Sequence, residues 1–146
     1  MGFATANASG EAEHLNFADE IALSGYDPVS YFDDKPVKGI AQWTFKASNG
    51  GIYIFASKDN LETFKAAPEE FLPAYGGWCA YAMLDGDKME VDPMTYKIVG
   101  DRLYFFYNGF WGVTLKKWNK KLSKIEEIAL IGEADRDWRL IFEASN

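Results

Sequence analysis

The hydrophobic and polar positions of the chain predict short strands in its first half. Residues 43–46 and 52–55 are rich in aromatic and β-branched side chains, and the sequence Asn-Gly-Gly at residues 49–51 separates them. Because asparagine and glycine tolerate a positive φ, this pattern predicts an antiparallel hairpin.

A helix is predicted over residues 58–67, directly after this hairpin. Ser57 precedes it, and a serine hydroxyl is a suitable cap for the first turn. Leu61 and Phe64 share one face of the helix, and Pro68 ends it.

Two more elements are predicted in the middle of the chain. Residues 78–84 are mostly apolar and predict a short buried helix that Asp85 and Gly86 close. Residues 96–99 and 103–107 flank the turn sequence Gly-Asp-Arg and predict a second hairpin.

The C-terminal part of the chain predicts helices. Gly132 is expected to divide residues 113–142 into two of them, because glycine is a poor helix former. Apolar side chains recur there close to a helical period, at Leu115, Trp118, Leu122, Ile125, Ile128 and Ala129. The elements together predict an α+β fold, with a β-hairpin plus helix, a second β-hairpin, and C-terminal helices packed on a small antiparallel sheet.

Composition favours one folded domain. The chain has 146 residues, of which 48% are hydrophobic and 16% aromatic, and this suffices for a sizeable core. We assign residues 19–146 to a single domain with a C-terminal helical extension. No run of about eighteen apolar residues occurs, so no membrane span is expected.

The net charge of −7 argues against nucleic acid as a partner. Basic residues gather mainly in one cluster at helical spacing, which consists of Lys116, Lys117, Lys120, Lys121 and Lys124. Such spacing is more typical of a solvated helix face than of a site for an anion or an acidic partner.

Residues 1–18 are small and polar and predict a flexible tail or the remnant of an export leader. They have neither a basic start nor an apolar stretch, but residues 4–6 and 6–8 are small-x-small sequences of the kind that a signal peptidase cuts after. We therefore expect a bacterial protein that is exported to the periplasm.

Cys79 is the only cysteine and the first candidate for chemistry. It follows two glycines and opens a helical run, where free N–H groups and the helix dipole favour a thiolate. A thiolate there would be a nucleophile for a redox enzyme. The alternative is a buried cysteine that packs as a small hydrophobic residue, which is the common role of free cysteine.

A soft metal site is a further hypothesis for the same region. Met83 stands four residues after Cys79, on the same face of the predicted helix. With His14 or Met89, these sulfur atoms would suit Cu(I). A methionine on an apolar helix face is more often part of the core, so this interpretation is the weaker one.

Aromatic residues predict either a core with hydroxyl groups at its rim or a pocket for a small ligand. The candidates for ligand binding are Tyr26, Tyr53, Tyr75, Trp78, Tyr81, Phe110 and Trp111. Phe110 and Trp111 lie on a glycine-flanked loop, where burial is least assured, and they also predict a docking site for a protein partner.

Three stretches of the chain resemble the YHS domain family. They are Gly-Tyr-Asp-Pro-Val at residues 25–29, Gly-Ile-Tyr-Ile-Phe-Ala-Ser at 51–57, and Phe-Lys-Ala-Ala-Pro-Glu-Glu-Phe at 64–71. In that family an Asp-Pro-Val segment precedes a hairpin ending in Tyr-x-Phe-x-Ser, and a helix ending in Phe-x-x-x-Pro-x-x-Tyr follows. The resemblance implies a YHS-like hairpin and helix.

Tyr-Gly-Gly-Trp-Cys-Ala at residues 75–80 is similar to one branch of the family, a group of small and often exported proteins. In that branch selenocysteine sometimes occupies the position of Cys79, which implies reactive chemistry there. Metal-binding members have cysteines at the positions that Ser30, Ala56 and Asn60 hold here. The resemblance therefore implies that the usual metal site is missing, because these three side chains cannot replace thiolates.

Three functions remain open. The first is a non-enzymatic YHS-like binding or accessory module, associated with copper handling, that uses an aromatic pocket near Cys79. The second is a thiol-dependent redox enzyme with Cys79 as nucleophile. The third is an interaction module that binds a protein through Phe110 and Trp111. We prefer the first, because the sequence shows no catalytic base, metal triad or cofactor fingerprint.

Overall fold

The computed structural model describes residues 13–145 and confirms the predicted α+β class. Within this range no helix is long and apolar enough to cross a bilayer. The strands are β1 (Phe17–Ala18), β2 (Ile21–Ala22), β3 (Thr44–Lys46), β4 (Ile52–Ile54), β5 (Asp92–Val99), β6 (Arg102–Phe106), β7 (Asn108–Gly109) and β8 (Gly112–Val113). The helices are α1 (Lys58–Ala66), α2 (Ala80–Met83), α3 (Thr114–Lys121) and α4 (Glu127–Ser145).

β3 and β4 form the first predicted hairpin. Asn49 stabilises its turn, since Oδ1 accepts a hydrogen bond from Gly51 N at 2.9 Å and Nδ2 donates to the Tyr53 hydroxyl at 3.0 Å. β2 adds to the other edge of β4 in parallel, and β1 pairs with β2, which gives the sheet order β1-β2-β4-β3.

α1 is the helix predicted after the first hairpin. It begins after Ser57, whose hydroxyl accepts a hydrogen bond from Asn60 N at 3.1 Å. Phe64 of α1 is fully buried and packs against Tyr53 and Phe55 of the hairpin. These residues belong to the N-terminal core, whose buried members are Ala22, Val29, Ala47, Tyr53, Phe55 and Phe64.

β5 and β6 form the second predicted hairpin. Gly100 and Asp101 have φ values of +54° and +67°, and two successive positive φ values are typical of a type I′ turn. β5 begins at Asp92, four residues before the predicted start, with a register irregularity between Asp92 and Tyr96.

β6 is buried on both faces and joins two parts of the interior. Tyr104 and Phe106 belong to the C-terminal core. Leu103 and Phe105 form a smaller buried cluster with Tyr31. This cluster lies between the N-terminal and C-terminal cores, because Leu23 and Val91 link it to them. The C-terminal core consists of buried Ala74, Tyr75, Cys79, Ala80, Ala82, Met83, Tyr104, Phe106, Trp118, Leu130 and Ala134.

α3 and α4 are the two predicted C-terminal helices, but they are separated at residues 122–126 and not at Gly132. Gly132 lies inside α4, and a Cβ there would meet no atom within 4 Å. A glycine costs a helix interior only about 1 kcal/mol, which the buried Leu130 and Ala134 on either side outweigh. The predicted break was therefore wrong in position.

Residues 13–18 belong to the fold, in contrast to the predicted tail. β1 is paired with β2, and the Trp78 indole N–H donates to the carbonyl oxygen of buried His14 at 2.6 Å. Leu15 and Phe17 are the apolar signal that the prediction overlooked. Residues 1–12, including both small-x-small sequences, lie outside the described residues.

Candidate functional site

Asp27 is a fully buried carboxylate that accepts four hydrogen bonds. Oδ1 accepts from Val29 N at 2.8 Å and from Ser30 N at 3.3 Å. Oδ2 accepts from Ala56 N at 2.8 Å and from Asn60 Nδ2 at 2.7 Å. A carboxylate offers about four lone-pair positions, so its capacity is filled by protein donors.

Ser30, Ala56 and Asn60, the positions where the resemblance implies metal-binding cysteines, all donate to the Asp27 carboxylate. The three positions therefore meet in space although they are far apart in sequence. Their donor set does not fit a soft metal, because no sulfur or imidazole is present and the carboxylate oxygens are already used. We call this arrangement the Asp27 hub.

Cys79 lies at the N-cap position of α2, which has only four residues, and its exposed fraction is 0%. Its sulfur lies 3.2 Å from the Thr114 hydroxyl and accepts a hydrogen bond from Tyr107 N at 3.4 Å. The Thr114 hydroxyl gives its proton to the Tyr107 carbonyl at 3.1 Å. The polar contacts of Cys79 are therefore all with groups inside the protein, and its side chain is enclosed by the core.

The predicted copper ligands have different surroundings in the structure. Met83 is fully buried in the C-terminal core, one helical turn after Cys79. The ring nitrogens of His14 face other groups: Nδ1 lies 2.9 Å from Lys88 Nζ, and Nε2 lies 3.6 Å from Glu13. Met89, the other proposed ligand, packs at the edge of the C-terminal core. Among residues 13–145, no group of three or more His, Cys, Asp or Glu side chains is placed to hold a metal ion.

A cleft of about 560 Å³ lies between the N-terminal and C-terminal cores. This volume falls within the usual range of small-molecule sites, roughly 300–1,000 Å³. Its walls combine apolar side chains with a few polar groups. Apolar wall residues include Leu15, Phe17, Leu23, Leu72, Val91, Phe105 and Trp138.

The backbone around the cleft is unusual. Leu23, Ser24 and Tyr75 have φ values of +57°, +54° and +57° and all line the cleft. Large side chains rarely adopt this left-handed conformation, and such strain tends to concentrate at binding sites. Gly76, next to Tyr75, also has a positive φ of +61°, and a Cβ there would lie 2.7 Å from Leu15 Cδ2, so a larger residue would be strained.

Tyr75 and Arg102 on the cleft wall are bound to the same carboxylate. The Tyr75 hydroxyl donates to Asp135 Oδ1 at 2.8 Å, and Arg102 Nη1 donates to Asp135 Oδ2 at 3.2 Å. Burial raises the pKa of Tyr75 above its ordinary value, and the hydrogen bond to Asp135 raises it further. Arg102 is the only cationic side chain among the described cleft residues, and it is already paired.

The cleft has an acidic rim, defined by the exposed side chains of Glu69, Glu70, Glu90 and Asp101. Glu90 Oε1 accepts a hydrogen bond from Asn16 Nδ2 at 3.2 Å. Since Asp135 neutralises Arg102, the rim leaves the cleft with a negative potential, which favours cationic ligands.

The predicted aromatic pocket is not formed as one site, which corrects the sequence interpretation. Tyr53 and Tyr75 line the cleft. The remaining five candidates lie elsewhere, because helix and hairpin geometry separates them. Tyr26 packs against Tyr31, Trp78 against the C-terminal core, Tyr81 lies beneath Lys121, and Phe110 and Trp111 are exposed on the β7–β8 hairpin.

Several features of the cleft were not predicted from the sequence. Leu23 and Ser24 carried no signal of positive φ, and only Gly25 beside them indicated a turn. Asp135 follows Ala134 in a helix, and no sequence motif predicted its hydrogen bond with Tyr75, which is 60 residues away in the chain. No family model, curated protein or solved structure matches the chain.

Proposed function

We propose that the chain is a non-enzymatic, YHS-like binding module that takes a small cationic ligand with an apolar part in the cleft between its two cores. The observation that carries the proposal is the cleft itself, with apolar walls, an acidic rim and a strained backbone. Apolar walls supply affinity, while the rim selects the charge of the ligand.

The resemblance to the YHS family supports the description as a module. Its three motifs map onto the 3₁₀ segment after Asp27, the β3–β4 hairpin, and α1 with the turn that follows it. Copper handling is not part of the proposal, because the Asp27 hub offers no soft donor and because Cys79 and Met83 are both fully buried in the C-terminal core.

Binding is favoured over thiol chemistry for two reasons. A nucleophilic cysteine needs access to its substrate and a surrounding that supports the thiolate. Cys79 lacks that access, since it is sealed in the C-terminal core, and no cationic side chain is among its hydrogen-bond partners, Thr114 and Tyr107. The residues lining the cleft include no cysteine or histidine.

Calorimetry with two matched probes tests the proposal. Tryptamine and indole-3-acetate share an indole ring and carry opposite charges, so the acidic rim should favour tryptamine. Val91→Trp fills the cleft and should weaken tryptamine binding about tenfold or more, because the indole of the probe loses its apolar wall. Val37→Trp places the same side chain at an exposed site outside the cleft and should leave binding unchanged.

Thermal unfolding of both variants shows whether they keep the fold. If both probes bind equally, or if Val91→Trp binds tryptamine as the wild type does, the cleft is not the ligand site. Asp101→Asn refines the charge argument, since it removes one rim carboxylate and should weaken tryptamine binding while strengthening that of indole-3-acetate.

A further inference from the structure

Phe110 and Trp111 form an exposed aromatic tip on the β7–β8 hairpin. Their exposed fractions are 89% and 71%, and their ring centroids lie 4.7 Å apart in an edge-to-face arrangement. Two large adjacent apolar side chains in contact with water are costly in free energy, so a partner that covers them is expected.

The hairpin holds the aromatic tip in place. Asn108 Nδ2 donates to Thr95 Oγ1 at 3.2 Å and to Asp92 Oδ2 at 3.3 Å, which ties β7 to β5. Trp111 N donates to the Tyr107 hydroxyl at 3.1 Å. The tip is therefore presented on an anchored hairpin, and it does not fold back onto either core.

A lysine face adjoins the aromatic tip. α3 starts directly after β8, and Lys117 Cε lies 4.0 Å from the position that a Cβ on Gly112 would occupy. Residues 102–125 contain no aspartate or glutamate, although the whole chain contains 22 of them. The lysine face consists of the exposed residues Lys116, Lys117, Lys120, Lys121 and Lys124.

This clustering of charge opposes folding. Lys116 and Lys120 are four residues apart on α3, as are Lys117 and Lys121, and like charges at this spacing repel. Lys116 and Lys117 also lie in the first turn, where the helix dipole disfavours cations, whereas Lys120 and Lys121 lie in the last turn, where it favours them. Within residues 13–145, the ion pairs involve none of these five lysines. An external anionic surface would relieve this repulsion.

We propose that the aromatic tip and the lysine face together dock the chain on an anionic phospholipid bilayer. Tryptophan and phenylalanine side chains insert at the membrane interface, where their rings leave water. Lysines beside the insertion point are attracted to anionic headgroups. The rest of this acidic chain carries a net negative charge that the same surface repels, which favours an approach by this end of the molecule.

The size of the tip favours a bilayer over a protein partner. Two aromatic side chains bury about 150–250 Å² each, whereas a stable protein interface covers about 800 Å² per partner. A bilayer accepts a small wedge without a complementary surface, and its attraction for lysine depends on charge rather than on fixed geometry.

Vesicle co-sedimentation of the full chain tests the inference. Vesicles of phosphatidylcholine mixed equally with phosphatidylglycerol should bind the protein, and vesicles of phosphatidylcholine alone should bind it much less. Phe110→Ala combined with Trp111→Ala should reduce binding about tenfold or more, because both inserted rings are lost. Ile128→Ala, at an apolar side chain that is 77% exposed elsewhere, should have no effect.

Lysine variants separate charge attraction from insertion. Lys116→Gln with Lys117→Gln should weaken binding about fivefold for each lysine, and added salt should reduce the difference. The control is Lys35→Gln with Lys58→Gln, two exposed lysines outside the face. Quenching of tryptophan fluorescence by brominated lipid should disappear in Trp111→Phe if Trp111 inserts.

Three results would overturn the inference: equal binding to both kinds of vesicle, anionic binding that survives the tip substitutions, or quenching that persists in Trp111→Phe. Concentration-dependent self-association that requires Trp111, in the absence of vesicle binding, would assign the tip to a protein interface instead. Circular dichroism of each variant verifies that the fold is intact.

Discussion

The N-terminal and C-terminal cores are each associated with one residue that the sequence marks for chemistry, and they hold it in different ways. Beside the N-terminal core, Asp27 is a buried carboxylate with four protein donors. In the C-terminal core, Cys79 is a thiol among aromatic and aliphatic side chains, with Thr114 and Tyr107 as its polar contacts. A hydrogen-bond network organises the first site, and packing organises the second.

The comparison shows that two positions marked by the sequence can have different structural outcomes. At the Asp27 hub, Ser30, Ala56 and Asn60 meet around one carboxylate and donate hydrogen bonds to it. Cys79, in contrast, is completely covered by the fold. A motif therefore locates a structural position more securely than it assigns a chemical role.

The largest effect is expected at the Asp27 hub. Asp27→Ala removes the acceptor of four hydrogen bonds and leaves buried donors without partners, so the free energy of unfolding should fall by about 3 kcal/mol or more. Urea unfolding measures the change. Asp27→Asn keeps one acceptor oxygen and should be intermediate, while exposed Asp33→Ala should stay within about 0.5 kcal/mol of the wild type.

If Asp27→Ala proves no less stable than Asp33→Ala, the carboxylate does not organise the N-terminal core. The contrast with the C-terminal core would then disappear.

A smaller effect is expected for Cys79. Cys79→Ala should lower the free energy of unfolding by about 1–2 kcal/mol, because a small buried group and the acceptor for Tyr107 N are lost. Exposed Ser123→Ala is the control. Alkylation of Cys79 in the folded protein should be slower than in urea by about two orders of magnitude or more, since the thiol must wait for an opening of the fold.

Rapid alkylation of the native protein would contradict a sealed thiol and restore the redox interpretation. If Cys79→Ala lowers the free energy of unfolding by much more than about 2 kcal/mol, the C-terminal core also depends on the polar contacts of Cys79.

The smallest effect is expected for Glu127, which lies at the edge of the C-terminal core beside Trp118. Burial opposes the charge of Glu127, but hydrogen bonds from Lys97 and Trp118, both at 2.7 Å, outweigh it and lower the pKa of Glu127 below its ordinary value. Its stabilising contribution is therefore present at neutral pH and is lost as the pH falls below the unfolded value of about 4.3 and through the lower folded pKa.

Glu127→Gln should cost about 1 kcal/mol at neutral pH and progressively less in acid, measured as urea midpoints across the pH range. Glu133 is exposed, so Glu133→Gln is the control, and its effect on the urea midpoint should not change with pH. A cost for Glu127→Gln that grows as the pH falls would reverse the sign of the argument.

Local chemistry explains why the hairpins and α1 were predictable. Their turns depend on a few adjacent residues, such as Asn49 with Gly50 and Gly100 with Asp101, whose backbone preferences are intrinsic. Gly132 shows the limit of this reasoning, because the preference of one residue was weaker than the packing of the helix around it. His14 and Phe17 were misplaced in a tail because their partners are distant in sequence.

The sequence by itself determined the alternation of strands and helices, the acidic charge, the lysine cluster and the presence of a single cysteine, since each depends on residue type and local spacing. Tertiary structure alone decided that Ser30, Ala56 and Asn60 meet at Asp27, that Cys79 is sealed, and that the aromatic candidates are distributed among the cleft, the exposed tip and other packing sites. These outcomes depend on contacts between residues far apart in the chain, whose energies no local pattern encodes.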